Sequence, residues 1–173
     1  MDFNAIPGAF PRAHYSVDIE WGHLDNELSR YMMEGLSLDP DYQRAHVWTE
    51  AQQVAYVEYM LRGGEVSRTL IVNAPEWSKN GYKGATLIDG KQRLEAVRRF
   101  MRNDLALFGG HRLSDFTGHM RLINARFHWA LVSLSTRAEL LDVYLSINTG
   151  GTPHSAEEIA RVRAMRDALE GAK

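Results

Sequence analysis

A single domain that mixes helices with a few short strands is what this 173-residue sequence predicts, and three observations predict it. Two stretches alternate apolar and polar residues with period two, around Val17-Ile19-Trp21 and around Phe127-Trp129-Leu131. Two short apolar runs, Thr69-Leu70-Ile71-Val72-Asn73 and 85–88, have the length of a buried strand. Elsewhere apolar residues recur at three- and four-residue spacing beside helix start and stop signals. No repeat, low-complexity segment or linker divides the chain, so one domain over 1–173 is expected. A domain of this length buries about 68–70% of its unfolded surface.

Taken in order, residues 1–14, with Pro7, Gly8 and Pro11, read as an irregular arm, and the 17–21 strand follows. A weakly periodic segment over about 25–34 reads as a helix that Gly35 stops. Leu36 and Leu38 then lead into the polar cluster Asp39-Pro40-Asp41-Tyr42-Gln43-Arg44. Thr49 with Gln52 forms a capping box, and Val54, Val57, Met60 and Leu61 continue the stripe to Gly63-Gly64. A Gly/Asn/Lys-rich turn, 74–84, separates the strands at 69–73 and 85–88. The helix after Asp89 runs to about Arg102 with Leu94, Val97 and Met101 inward, and 103–125 carries no clear pattern. The strand around Trp129 precedes a helix opened by Ser135, carrying Ala138, Leu141 and Leu145 and breaking at Asn148-Thr149-Gly150-Gly151. Ser155 and Glu158 cap a last, arginine-rich helix over 155–173, exposed on one face.

Composition excludes several classes. The chain is 45% hydrophobic and 24% charged, as ordinary globular domains are. A formal net charge of −2 argues against a surface that coats nucleic acid indiscriminately, though Arg93, Arg98, Arg99 and Arg102 could still form a local basic cleft. Without cysteine there are no disulfides or thiolate metal sites. No apolar run approaches a membrane span, so a cytoplasmic protein with no membrane partner is expected. The seven histidines show no metal spacing, and no P-loop or nucleophile-elbow motif occurs.

Leu87-Ile88-Asp89-Gly90-Lys91-Gln92-Arg93-Leu94 carries the most chemistry: a strand turning at one glycine into a helix. A helix start offers outward N–H groups and the positive dipole end, which suit an anion. Gly90 allows positive φ or close backbone approach, Lys91 and Arg93 can neutralise phosphate oxygens, and Asp89 can hold magnesium or orient a hydroxyl. The same residues also fit a simple N-cap at Asp89 with Arg93 paired to a nearby acid. In the first cluster Gln43 can read an amide or base edge and Arg44 can bind phosphate, or Pro40 and the acids merely make a turn. Asn148, Thr149 and Gly150 sit between two helices, either as a phosphate-wrapping nest or as a helix stop. Trp48 and Trp129 read as core aromatics, while Trp77, in a polar turn, reads as exposed and able to stack on a base.

Three motifs together, Asp41-Tyr42-Gln43-Arg44 with Trp48, Ile88-Asp89-Gly90-Lys91-Gln92-Arg93-Leu94, and Ile147-Asn148-Thr149-Gly150-Gly151-Thr152-Pro153 with Glu158, occur in this order. In that order and approximate spacing, over about 36–160, the chain resembles the N-terminal domain of GmrSD-type modification-dependent restriction enzymes, a branch of the ParB/sulfiredoxin-like superfamily. The resemblance implies an α+β fold, a small mixed sheet flanked by helices, with an Asp-Gly-Gln-Gln-Arg box that binds and hydrolyses nucleoside triphosphates. It implies that Asp89, Gly90, Gln92 and Arg93 handle phosphate and that Gln43 and Arg44 form a second wall. The family's first glutamine is Lys91 here, an added charge that would raise nucleotide affinity or favour phosphoryl transfer over hydrolysis.

The expected function is an enzyme that takes a nucleoside triphosphate (ATP, GTP, CTP or UTP) with Mg2+ and cleaves or transfers its terminal phosphoryl group. Asp89, Lys91, Arg93 and Arg44 would be catalytic, with Asp89 on the metal; Gly90, Gln92, Gln43, Asn148, Thr149 and Gly150 would hold the nucleotide. The resemblance sets this in phage or bacterial DNA modification or restriction, with water or a hydroxyl on a modified DNA base as acceptor. DNA, a separate effector protein or a second copy are the expected macromolecular partners. The alternatives are a ParB-like DNA nuclease and a non-catalytic module that senses DNA modification.

Overall fold

Four strands form one mixed sheet, and the alternation of their side chains decides which helices cover which face. The computed structural model describes residues 15–43, 48–118, 125–149 and 156–170. Strands β1 (Tyr15–Glu20), β2 (Thr69–Asn73), β3 (Thr86–Asp89) and β4 (Arg126–Val132) lie in the order β1-β4-β2-β3. β1 is antiparallel to β4, β4 parallel to β2, and β2 antiparallel to β3. The helices are α1 (Leu24–Glu34), α2 (Glu50–Leu61), α3 (Trp77–Asn80), α4 (Lys91–Met101), α5 (Arg137–Thr149) and α6 (Ala156–Glu170). The domain is therefore α+β, with a four-stranded mixed sheet and helices on both faces.

Phe127, Trp129 and Leu131 of β4, Leu70 and Val72 of β2 and Leu87 of β3 point to one face. There they join Leu24 and Leu28 of α1, Val57 and Met60 of α2, and Leu94, Val97 and Phe100 of α4 in the larger core. The intervening residues Ile88 and Val132, with Tyr42, point the other way and meet Leu140, Leu141 and Tyr144 of α5 and Val162 of α6. This second core covers only the β3 side of that face. Toward β1 it carries Asp18, Arg126 and His128 beside a shallow polar groove of about 340 Å³. Asp18 bonds Arg126 at 2.9 Å and His128 Nδ1 at 3.0 Å there.

Most boundaries follow local chemistry. Gly35, at φ +117°, ends α1 with its N–H on Met32 O, and the Thr49–Gln52 capping box opens α2. Trp21 leaves the strand and begins a single 3₁₀ turn, Trp21–His23, because the chain must bend there into α1; its ring is 1% exposed. The buried arc of α4 is wider than a narrow stripe: Ala96 and Phe100 are enclosed and Met101 only partly, since the helix touches α2 as well as the sheet. The polar segment 74–84 holds the short helix α3, and its Trp77 is half-buried rather than exposed. Trp77 packs between Tyr15, at 5.8 Å, and Tyr82, at 4.9 Å, so it is not available for stacking on a base. Within 103–118, Leu105 and Leu107 enter the core and Leu113–Asp115 form a 3₁₀ turn.

No arginine-lined cleft forms on α4. Arg98 and Arg102 both bond Asp25, and Arg99 bonds Gln53 and Glu50. Burial alone would raise the Asp25 carboxyl, but hydrogen bonds from Arg102 and Arg98 outweigh it and hold the carboxyl below its ordinary range. Among the described residues, no helix is long and apolar enough to cross a membrane.

Candidate functional site

The site begins where β3 runs into α4. Asp89 is the last residue of β3, opposite Ile71, beside an irregularity of β2 between Ile71 and Val72. Gly90 takes φ +105°, and a Cβ there would run into the side chain of Leu70. Both positive φ and close packing therefore require glycine at this corner. The N-cap is Gly90 and not Asp89, and the first bond inside the helix runs from Leu94 N–H to Gly90 O. The positive end of the α4 dipole accordingly lies at residues 90–93.

The carboxylate and guanidinium of this corner do not both face solvent, as the anion-receptor reading requires. Arg93 reaches back one turn to pair with Asp89, and its Nη1 donates to Ser67 O and Thr69 O, each at 2.8 Å. Its side chain is 13% exposed and that of Asp89 28%. Arg93 is thus a clasp that joins β2, β3 and α4, and it fixes the Asp89 carboxylate instead of offering a loose cation. Lys91 is paired as well, with Asp39, whose side chain is 80% exposed.

The corner is nonetheless hollow. A cavity of about 410 Å³ opens against it, lined by 88–93 and by Gln43, Trp48, Tyr56, Ser67, Tyr144, Ile147 and Asn148. That volume falls within the roughly 300–1,000 Å³ usual for small-molecule sites. Five separate stretches of sequence supply its walls. Tyr56 and Tyr144 come from α2 and α5, and Ser67, at φ +66°, from the turn before β2. Ser67 O accepts from both Arg93 and the Tyr56 hydroxyl, the latter at 3.0 Å. Burial pushes the Tyr56 and Tyr42 hydroxyls above their ordinary range, so both remain donors at neutral pH.

Gln43 lies in this wall, but its amide nitrogen is spent on Leu87 O and Ile88 O, at 2.5 and 2.9 Å. Its Oε1 is buried and has no hydrogen-bond partner among the described residues. A buried acceptor left unmade costs about 1–3 kcal/mol. The turn that presents Gln43 is pinned from the far side of the sheet. Arg137 of α5 bonds the Asp41 carboxylate at 2.6 Å, and Arg161 of α6 donates to Asp41 O and Tyr42 O.

Asn148 is helical rather than in a loop: α5 runs on to Thr149, and Asn148 Nδ2 donates to Tyr144 O at 2.7 Å. It still borders the cavity, one turn past Tyr144. Gln92 does not point only at the cavity, since its Oε1 accepts the Trp48 backbone N–H at 3.0 Å. Arg44 and Gly150 lie outside the described residues, as does the Thr149 side chain. The structure thus gathers Gln43, Asp89, Gly90, Lys91, Gln92, Arg93 and Asn148 at one cavity. Composition and spacing gave no hint of Ser67, Tyr56 or Tyr144, because each reads as ordinary helix or turn in its own segment, while Ile147 stands at the head of the third motif. Among the described residues no cluster of three or more His, Asp or Glu side chains could form an all-protein metal cage. No family model, curated protein or solved structure matches the chain.

Proposed function

We propose that this cavity binds a nucleoside triphosphate and that the protein cleaves or transfers its terminal phosphoryl group. The observation that carries the reading is a cavity of nucleotide scale whose wall is the start of α4, with Asp89, Lys91 and Gln43 in its lining. Phosphoryl transfer needs mainly positioning and charge neutralisation, which a fixed carboxylate, a cation and a helix start provide.

In this reading the phosphates lie at residues 90–93 and displace the exposed Asp39 carboxylate from Lys91. Asp89, oriented by Arg93, aligns the attacking oxygen or holds magnesium. A magnesium ion that arrives on the phosphates takes one or two protein carboxylates and keeps waters, which Asp89 fits without a cage. The ion would supply neutralisation of phosphate charge. Arg93 is a positioning residue here, and Arg44 and Gly150 keep the roles that the motif resemblance implies for them. By that resemblance to GmrSD-type domains and the wider ParB/sulfiredoxin-like fold, the setting is phage or bacterial DNA modification or restriction. Water, or a hydroxyl on a modified DNA base, would be the acceptor.

One observation favours a second reading, a nucleotide-binding module without turnover that senses DNA modification. Every hydrogen-bonding contact found for Arg93 is internal, so no guanidinium at the corner is committed to the transition state. The deciding assay incubates the protein with magnesium and each of ATP, GTP, CTP and UTP, with and without DNA. Release or transfer of phosphate, abolished in Asp89→Asn with the melting temperature retained, is the expected result. Binding with no turnover would select the sensing module, and plasmid nicking without nucleotide would select a nuclease.

A further inference from the structure

Trp48 is held in an unusual way for a residue at the mouth of a helix. Its backbone N–H donates to Gln92 Oε1 at 3.0 Å, and its carbonyl accepts from Gln53 Nε2 at 3.2 Å. Gln92 belongs to α4 and Gln53 to α2, so two helices hold the backbone of this one residue on both sides of its Cα. Gln53 is itself 3% exposed and takes a bond from Arg99 at 2.7 Å, which makes the grip a buried chain and not a surface accident. The indole rests on the core at one side, with Tyr56 edge-on at 5.5 Å and 61°. Trp48 is half-buried and, like Tyr56, lines the cavity.

Trp129 is fully enclosed, at 0% exposure, with its indole N–H donated to the Tyr82 hydroxyl at 3.0 Å. Trp48 differs: two glutamine side chains hold its backbone, and it borders the same hollow as the phosphate corner. A rigid aromatic with one face toward a cavity is suited to π-stacking, which costs little entropy when the ring cannot move. The far end of the cavity is apolar too, with Tyr144 and Ile147 in its wall.

We propose that Trp48 is the platform on which an aromatic ring of the cavity's ligand stacks, so that the ligand is recognised through the π-face of a nucleobase as well as through its phosphates. This rests on the nucleotide reading of the cavity, and it adds a consequence that the phosphate corner does not have. Every base has a π-face, so stacking tolerates all four bases, and ATP and UTP should bind within about tenfold of each other.

The test is calorimetric titration of the protein, with magnesium, against ATP, UTP, adenosine and inorganic tripolyphosphate. Wild type, Trp48→Phe and Trp48→Ala are compared. Wild type should bind ATP at least about tenfold more tightly than tripolyphosphate. Trp48→Ala should weaken ATP by about 5- to 100-fold and leave tripolyphosphate unchanged, while Trp48→Phe keeps most of the preference. Equal affinity of wild type for ATP and tripolyphosphate overturns the platform while the phosphate reading stands. So does an unchanged ATP-to-tripolyphosphate ratio in Trp48→Ala. Adenosine binding that depends on Trp48, with no affinity for tripolyphosphate, keeps the platform and overturns the phosphate corner. Binding of none of the four overturns both. Should Trp48→Ala not fold, the wild-type ratio and Trp48→Phe still decide.

Discussion

An alanine at position 90 would have to hold φ +105° and set its Cβ into the Leu70 side chain, which is fully buried. Neither demand can be relaxed cheaply, because Leu70 sits in a central strand with the core behind it. Gly90→Ala is expected to lose about 2 kcal/mol or more of folding stability, read by urea unfolding. A loss below about 0.5 kcal/mol would mean that the corner relaxes and that glycine is not required there. Asp25 gives a pH-dependent counterpart. Its carboxyl is held below its unfolded value, so its contribution is present above about pH 4 and is lost as pH falls through the folded value. The partly exposed setting limits that contribution to about 1 kcal/mol. Asp25→Asn should therefore lower stability at pH 7 by about this amount and match wild type near pH 2. A difference that persists at pH 2 would rule out ionisation as its source.

At the scale of elements, local chemistry made most of the fold legible. The Thr49–Gln52 pair announces α2, Gly35 closes α1, and the alternation around Trp129 marks β4, each because the signal sits within a few residues of its effect. Thr49→Ala should cost about 1 kcal/mol by removing the cap, measured as a thermal or urea shift. It should also leave the Trp48 carbonyl bond to Gln53 intact, since that bond uses no atom of Thr49. What misled was environment. Trp77 stands among polar residues yet lies against Tyr15 and Tyr82, and Trp48 stands beside a helix start yet borders the cavity. Asn148 reads as a helix stop, but α5 passes through it to Thr149, and its amide bonds the carbonyl one turn back.

For the whole molecule, the decisive fact is that the two cores lie on opposite faces of one thin sheet, with the cavity at the edge where they meet. The larger core brings Trp48, Tyr56 and α4, and the smaller brings Tyr144 and the pinned turn at Gln43. A ligand there touches elements from both and binds only the folded chain. At about one hundred times its dissociation constant it should add about 2.7 kcal/mol, or about 5–10 °C in melting temperature. A thermal-shift series over the four nucleotides with magnesium measures this directly, and a flat response at saturating concentration would remove the nucleotide from consideration.

The residues themselves determined the helix-and-strand order, the glycine corner at 89–93 and the three polar motifs, since capping, periodicity and backbone freedom act over a few positions. Only the tertiary structure decided which charges are spent and which surfaces are open. Of the two readings open for Arg93, a phosphate-binding cation or the partner of a nearby acid, the structure shows the pairing, and its further partners Ser67 and Thr69 lie more than twenty residues away. The basic run on α4 was neutralised by Asp25 and Glu50, brought in by α1 and α2. Pairing and exposure are properties of what the chain folds against, and no window of sequence contains that.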